Sequence, residues 1–253
     1  MIWLRSLIFN LAFFLWAAVL GSLGLPLILL SRRAAAVIGR FWSRGTMWLL
    51  RHVVGLEHQF RGLDRLPRGG CIVAMKHQSA WDAVILSIAL DDPVPVVKRE
   101  LLRLPIYGWY MRRAGAIAID RRAGAAALRQ MVEAARPVAK AGRPIVIFPQ
   151  GTRVAPGARQ PYQPGVAALY RALALPIVPA AVNSGLYWGR RSFIKRPGRI
   201  VLEFLDPIPA GWRKQPLMAE LERRIESATT ALEAEAAGRA AAPAQILRPT
   251  AAQ

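Results

Sequence analysis

Between Arg5 and Arg32 the chain carries no charged residue. The run from Leu7 to Leu30 reads LIFNLAFFLWAAVLGSLGLPLILL. As a helix it covers about 36 Å at ~1.5 Å per residue, enough for a hydrocarbon layer of roughly 30 Å. A cleavable secretory leader has a shorter apolar region and ends in small residues. Here Leu27-Ile28-Leu29-Leu30 runs straight into Ser31-Arg32-Arg33. Gly21, Gly24 and Pro26 are potential helix breakers, so a full span and a re-entrant hairpin are both open. Arg32, Arg33, Arg40 and Arg44 follow the run, and Arg5 alone precedes it. By the positive-inside rule the body of the chain lies on the cytoplasmic side.

Charge sharpens this reading. Thirty-five Lys and Arg stand against 15 Asp and Glu, a net charge of +20. Such an excess points to a polyanionic partner: nucleic acid, an anionic membrane surface or an acidic substrate. The mean hydropathy of +0.25 is high for so basic a chain. A basic and apolar chain fits a membrane with anionic lipids better than nucleic acid. From Arg33 to Arg51 the pattern predicts a helix with Arg33, Arg40, Arg44 and Arg51 on one stripe. At about 100° per residue the four fall within an arc of roughly 40°, with apolar residues around most of the rest. This suits a helix in the headgroup layer, while a solvated basic face of a globular domain is the plainer alternative. Residues 1–55 are therefore expected to form a membrane anchor.

Over residues 56–237 the pattern alternates. Expected strands are Cys71–Met75, Val94–Val97, Ala116–Ile119, Ile145–Phe148, Ile177–Val182 and Ile200–Phe204. Expected helices are Ala80–Leu90, Arg99–Arg112, Ala123–Ala141, Gly165–Ala174 and Leu217–Ala236. This alternation predicts an α/β domain, a largely parallel central sheet flanked by helices. The stretch 238–253, rich in Ala and Pro, is expected to be a disordered tail. One cysteine, Cys71, excludes an internal disulfide framework and a multi-cysteine metal site.

Of the three histidines, His52 and His58 fall in the amphipathic segment and the loop after it. His77 ends an expected strand, in Lys76-His77-Gln78-Ser79-Ala80-Trp81-Asp82. Ser79 followed three residues later by Asp82 resembles a capping box, which puts Asp82 in a first helical turn. A carboxylate there can fold back on one imidazole nitrogen and leave the other free as a base. Alternatively, Asp82 only complements the helix dipole and His77 only packs. The chain has no Gly-x-Ser-x-Gly elbow, so a His–Asp pair points to direct activation of a substrate hydroxyl. A second constellation is Phe148-Pro149-Gln150-Gly151-Thr152-Arg153, a strand end running into a turn beside a guanidinium. It is either a phosphate cradle or an ordinary turn with a solvated arginine. Lys98 and Arg121, each at the end of another strand, fall at the edge where open α/β sheets take ligands.

This set resembles the 1-acylglycerol-3-phosphate acyltransferase family of membrane-bound glycerolipid acyltransferases. His77 to Asp82 is similar to its H-x4-D block, and Gly115 to Arg121 to its second block. Phe148 to Arg153 is similar to its F-P-E-G-T-R block, and Ile177-Val178-Pro179-Ala180-Ala181 to its fourth. Lys98-Arg99-Glu100-Leu101 with Pro105 and Gly108 resembles the stretch between the first two. The likeness covers about residues 70–185.

The resemblance implies acyl transfer from acyl-CoA or acyl-carrier protein to the sn-2 hydroxyl of lysophosphatidic acid, giving phosphatidic acid. His77 would be the general base, with Asp82 orienting it. Lys98, Arg121 and Arg153 would hold the acceptor's phosphate, Gly151 and Thr152 would shape that turn, and Pro179 would belong to the acyl-binding wall. No metal or bound cofactor is implied, and the setting would be the cytoplasmic face of a bacterial inner membrane.

Gln150 departs from the family's Glu. It would contact the acceptor's glycerol, since an amide still donates and accepts hydrogen bonds. The lost negative charge admits another acceptor, such as a lyso-ornithine lipid, and Gln150→Glu is expected to leave substantial activity. A non-catalytic basic membrane protein would explain the charge and the apolar run, but not the ordered His77, Asp82 and Arg153.

Overall fold

A computed structural model describes residues 1–120 and 123–241. The first apolar run forms one unbroken helix, α1 (Ile2–Leu30). Pro26 sits inside it, one turn from its C-terminal end, and the helix continues past it to Leu30. Gly21 and Gly24 are points of close approach rather than breaks. A Cβ on Gly24 would stand 2.1 Å from the Tyr110 hydroxyl and 2.9 Å from Ile38 Cδ1.

The chain reverses at Ser31, which is extended and caps α2 (Arg32–Leu49) by accepting from Arg33 N. α2 runs back along α1, with Trp16 Nε1 donating to Trp42 O at 3.1 Å. The expected basic stripe of α2 does not remain a free face. Arg40 donates to Ser87 O and pairs with Asp91 at 2.8 Å, and Arg51 lies 3.7 Å from Glu57, while Arg33 and Arg44 are exposed. A π-helical turn, Leu50–Val54, carries His52 and leads into the sheet.

Seven strands form that sheet: β1 (Leu56–Arg61), β2 (Ile72–Met75), β3 (Val94–Lys98), β4 (Ile117–Ile119), β5 (Ile145–Ile147), β6 (Ile177–Val182) and β7 (Gly198–Phe204). Their order is β1-β7-β6-β2-β5-β3-β4. All neighbours are parallel except β6 and β7, so β1 and β7 run against the other five. The expected α/β class holds.

β1 was not expected: His58 lies in a strand, not a loop. Only Leu56 of that strand is buried, because β1 is an edge, and its polar residues give no two-sided apolar signal.

Two expected helices are broken. The segment after His77 divides into α3 (Trp81–Val84) and α4 (Leu86–Ala89). Ile88 N reaches back only three residues, to Ile85 O at 2.9 Å, a tighter turn that starts at the break. The segment after β3 is a 3-10 turn, Arg99–Arg103, followed by α5 (Tyr107–Ala114). Pro105 drives Leu104 out of helical backbone and forces the break.

α6 (Gly124–Lys140), α7 (Gly165–Leu173) and α8 (Lys214–Ala241) form at close to their expected places. The expected tail thus begins as helix to Ala241, and residues 242–253 lie outside the described residues.

Side chains alternate across the central strands, so the sheet has two apolar faces. Val73 and Met75 of β2 pack with Phe9, Met47 and Trp81 on the side of α1 to α4. Ile72 and Ala74 pack with Met131, Leu169 and Leu221 on the side of α6 to α8. α1 is tied to the body along its length. Ser6 Oγ accepts from Lys195 N at 3.0 Å near one end. Tyr110 donates to Gly21 O at 3.1 Å, and Arg113 donates to Ile28 O and Leu29 O near the other.

Candidate active site

β2 and β5 are parallel neighbours, with Ala74 level with Ile147. Their C-terminal ends therefore deliver His77 and Phe148 side by side. The two rings stack, with centroids 3.9 Å apart and planes 20° from parallel. The turn after Phe148 then wraps the histidine backbone. His77 N donates to Gln150 Oε1 at 3.1 Å, and Val154 N donates to His77 O at 2.8 Å. Gly151 makes that turn at φ +69°, a left-handed conformation that glycine adopts without steric cost.

His77 Nδ1 faces Asp82 Oδ2 at 2.9 Å. The Asp82 side chain is fully buried. Its Oδ2 also accepts from Gln78 N at 2.7 Å and Ser79 N at 2.8 Å, and its Oδ1 accepts from the Ser184 hydroxyl. A carboxylate so enclosed holds one orientation. With a proton on Nδ1 donated to Asp82, Nε2 keeps its lone pair. The imidazole is 17% exposed, so this second nitrogen has a route to solvent or substrate. Among the described residues no hydrogen bond engages Nε2.

The structure places the expected site residues differently. His77, Asp82, Gln150, Gly151 and Thr152 come together, with Arg153 in the same turn, half-buried, its carbonyl accepting from Arg190 at 3.5 Å. Lys98 ends β3, exposed, beside β5 and level with Ile119 of β4. It lies two strand spacings from the β2 end, about 10 Å along the same edge. Arg121 lies outside the described residues. Pro179 stands apart: it is buried inside the sheet, level with Ala74, on the α6–α8 side and away from the imidazole. Gln150 is 2% exposed, and its amide is turned inward, with Nε2 pointing to Glu226 Oε1 at 3.4 Å. The structure thus gives it the histidine backbone and Glu226 as partners.

Three contributors escape sequence reading. Ser184 arrives from the end of β6, 102 residues from the Asp82 it supports. Its one signal is a hydroxyl placed just past a strand end. Glu226 and Glu233 come from α8. Glu226 Oε1 also accepts from the Tyr162 hydroxyl at 2.9 Å. Burial, and then the Glu226 carboxylate, push the Tyr162 hydroxyl well above its ordinary value, so it remains a proton donor. Among the described residues no group of three or more His, Cys, Asp or Glu is placed to hold a metal.

The arrangement is an imidazole held on one nitrogen by a buried carboxylate at the C-terminal edge of a mostly parallel sheet, with no serine or cysteine hydrogen-bonded to the imidazole among the described residues. Comparisons with known proteins identify the family. The family described as Acyltransferase matches residues 57–183, and the chain belongs to it. A 1-acyl-sn-glycerol-3-phosphate acyltransferase of Pseudomonas aeruginosa is 34% identical over 227 residues, 88% of each chain. The enzyme of the same name from Cocos nucifera is 28% identical over 73% of this chain, which spans 59% of that protein's length. The fold matches the crystal structure of the 1-acyl-sn-glycerophosphate acyltransferase PlsC from Thermotoga maritima. Its TM-score is 0.75 at 19% identity, over 97% of this chain and all of that one.

Proposed function

We propose that this chain transfers a fatty acyl group from an acyl thioester to the sn-2 hydroxyl of lysophosphatidic acid, forming phosphatidic acid. The observation that carries the reading is the His77–Asp82 pair, with one nitrogen held by a buried carboxylate and the other open. His77 Nε2 takes the proton of the acceptor hydroxyl as that oxygen attacks the thioester carbonyl. The C–S bond then breaks, and the imidazolium returns the proton to the departing thiolate. Asp82 keeps the tautomer and stabilises the transient positive charge, the logic of a catalytic triad without its serine. Lys98, Arg121 and Arg153 hold the acceptor's phosphate, with Gly151 and Thr152 shaping the turn. Gln150 supports that turn from behind. The donor is acyl-CoA or acyl-carrier protein, and no bound cofactor enters the reaction.

The membrane is the proposed setting. α1 is the one described helix long and apolar enough to cross a bilayer. It buries Ser6, Phe9, Gly21, Gly24 and Ile28 against the body, a contact about 33 Å long. Leu4, Leu11, Leu15, Leu23 and Leu27 face outward. A helix held to the body near both of its ends cannot cross the bilayer while the body stays in water. This supports α1 lying within one leaflet, on the cytoplasmic face, with the exposed Arg33 and Arg44 reaching phosphate headgroups.

The test uses purified protein in detergent with a thioester donor and, separately, lysophosphatidic acid, glycerol 3-phosphate or lyso-ornithine lipid. Lysophosphatidic acid should be consumed and His77→Ala should be inactive. Turnover of lyso-ornithine lipid alone would overturn the phosphate assignment. Full activity in His77→Ala would overturn the base.

A further inference from the structure

Seven residues apart on α8, Glu226 and Glu233 send their carboxylates to the strand end that carries His77. Glu226 Oε2 accepts from Lys76 Nζ at 2.6 Å. Glu233 Oε1 accepts from Gln78 Nε2 at 2.7 Å. Lys76 and Gln78 are the chain neighbours of His77, and both are buried, at 1% and 0% exposure. Strand alternation explains the arrangement. Residues 74 and 76 point toward α8, while 75 and 77 point to the opposite face. α8 therefore grips the residue before the base and the residue after it, and leaves the imidazole itself free.

Each carboxylate also ties in a second part of the site. Glu226 Oε1 holds Tyr162 and lies 3.4 Å from the Gln150 amide, whose oxygen receives the His77 N–H. Glu233 Oε2 accepts from Gly157 N at 3.2 Å in the loop beyond Arg153. Gln78 Oε1 accepts from Gly185 N at 3.0 Å, beside the Ser184 that supports Asp82. Helix α8 lies outside the segment 57–183 that the family match covers.

We propose that Glu226 and Glu233 are positioning residues for the His77 base, setting its distance to Asp82 through Lys76 and Gln78. The proposal rests on the acyltransferase reading of His77 and is tested with and without substrate. Two full-length variants separate grip from folding. Glu233→Ala frees Gln78. Lys76→Met/Glu226→Gln removes both charges of the buried pair together, and the new amide oxygen can still accept from Tyr162. The readouts are melting temperature, kcat and KM for lysophosphatidic acid, and the Nδ1–H proton resonance of His77. That resonance is assigned by its loss in His77→Gln.

Both variants should stay folded at the assay temperature, lose about ten-fold or more in kcat there and keep KM within about two-fold. The Nδ1–H resonance should broaden without substrate. Folded variants with parental kcat and an unchanged resonance would overturn the proposal. So would a kcat loss that only follows a fall in melting temperature. If the parent does not turn over lysophosphatidic acid, the resonance alone decides: its persistence in both variants overturns the positioning role, and its loss supports it.

Discussion

Gln150→Glu is a small change in the sequence and a large one in the structure. The amide is buried, and its Nε2 points at Glu226 Oε1 from 3.4 Å. Replacing it with a carboxylate sets two negative charges at that distance. At an effective dielectric of ~20 they repel by about 5 kcal/mol. The site can escape by protonating the new carboxyl. Holding a group of ordinary value ~4.3 protonated at pH 7 costs about 3.7 kcal/mol, so this route sets the ceiling. Lys76, 2.6 Å from Glu226, offsets part of the repulsion. The expected loss is therefore about 2 to 4 kcal/mol at pH 7, or roughly 5–15 °C in melting temperature.

The sign with pH follows. The folded state raises the new carboxyl above its unfolded value, so it binds a proton more tightly than the unfolded chain does. The penalty is absent below about pH 4.3 and grows as pH rises toward neutrality. The assay is thermal unfolding at pH 5 and pH 7.5, beside kcat on lysophosphatidic acid. Gln150→Glu/Glu226→Gln removes the doubled charge and should recover part of the lost melting temperature, though not kcat, because Lys76 loses its partner. Equal melting temperatures at pH 7.5, an equal loss at both pH values, or no recovery in the double variant would refute the reasoning.

Other substitutions probe neighbouring features. Ser184→Ala removes a hydrogen bond to a buried carboxylate, of the kind that contributes about 1.5 to 3 kcal/mol, and should lower kcat by about ten-fold or more with KM little changed. Steady-state kinetics decide it, and an unchanged kcat would remove Ser184 from the site. Burial draws the Lys195 ammonium down to about 8, below its free value of ~10.4. Its charge is thus disfavoured in the fold, so parental stability should rise as pH increases from about 8 toward that free value, and Lys195→Met should flatten the rise in thermal unfolding. Gly24→Val collides with Tyr110 and Ile38 and should cost about 1 to 3 kcal/mol as α5 lifts from α1. Faster tryptic cleavage after Arg112 and Arg113 would report it.

The legible part of the site was the local part. His77 and Asp82 are five residues apart, and a strand end followed by a helix start is enough to bring them together. The strand alternation that defines the α/β class is likewise local. What failed was direction and distance. A motif places Gln150 in the third block but does not show that its amide turns inward, because that depends on α8 lying behind it. Ser184, Glu226 and Glu233 meet the first block only after the sheet has assembled, so no spacing announces them. β1 was missed because an edge strand needs only one buried residue. The break between α3 and α4 depends on which carbonyl each N–H reaches, a choice made by packing.

The contact between Ser6 and Lys195 joins residues 189 apart in the chain. At ~5–20 residues per second of synthesis, roughly ten to forty seconds separate the appearance of the two partners on the ribosome. Throughout that interval α1 exists without the loop that satisfies Ser6 and Asn10, and without the Trp188 ring that packs on Phe9. α1 precedes the other described helices in the chain and is among the last of them to complete its contacts. Its apolar surface stays without those partners until the chain has been made past residue 195. Shortened chains that stop before residue 195 should consequently fail in the cell at this helix first, even with the His77–Asp82 segment already synthesised.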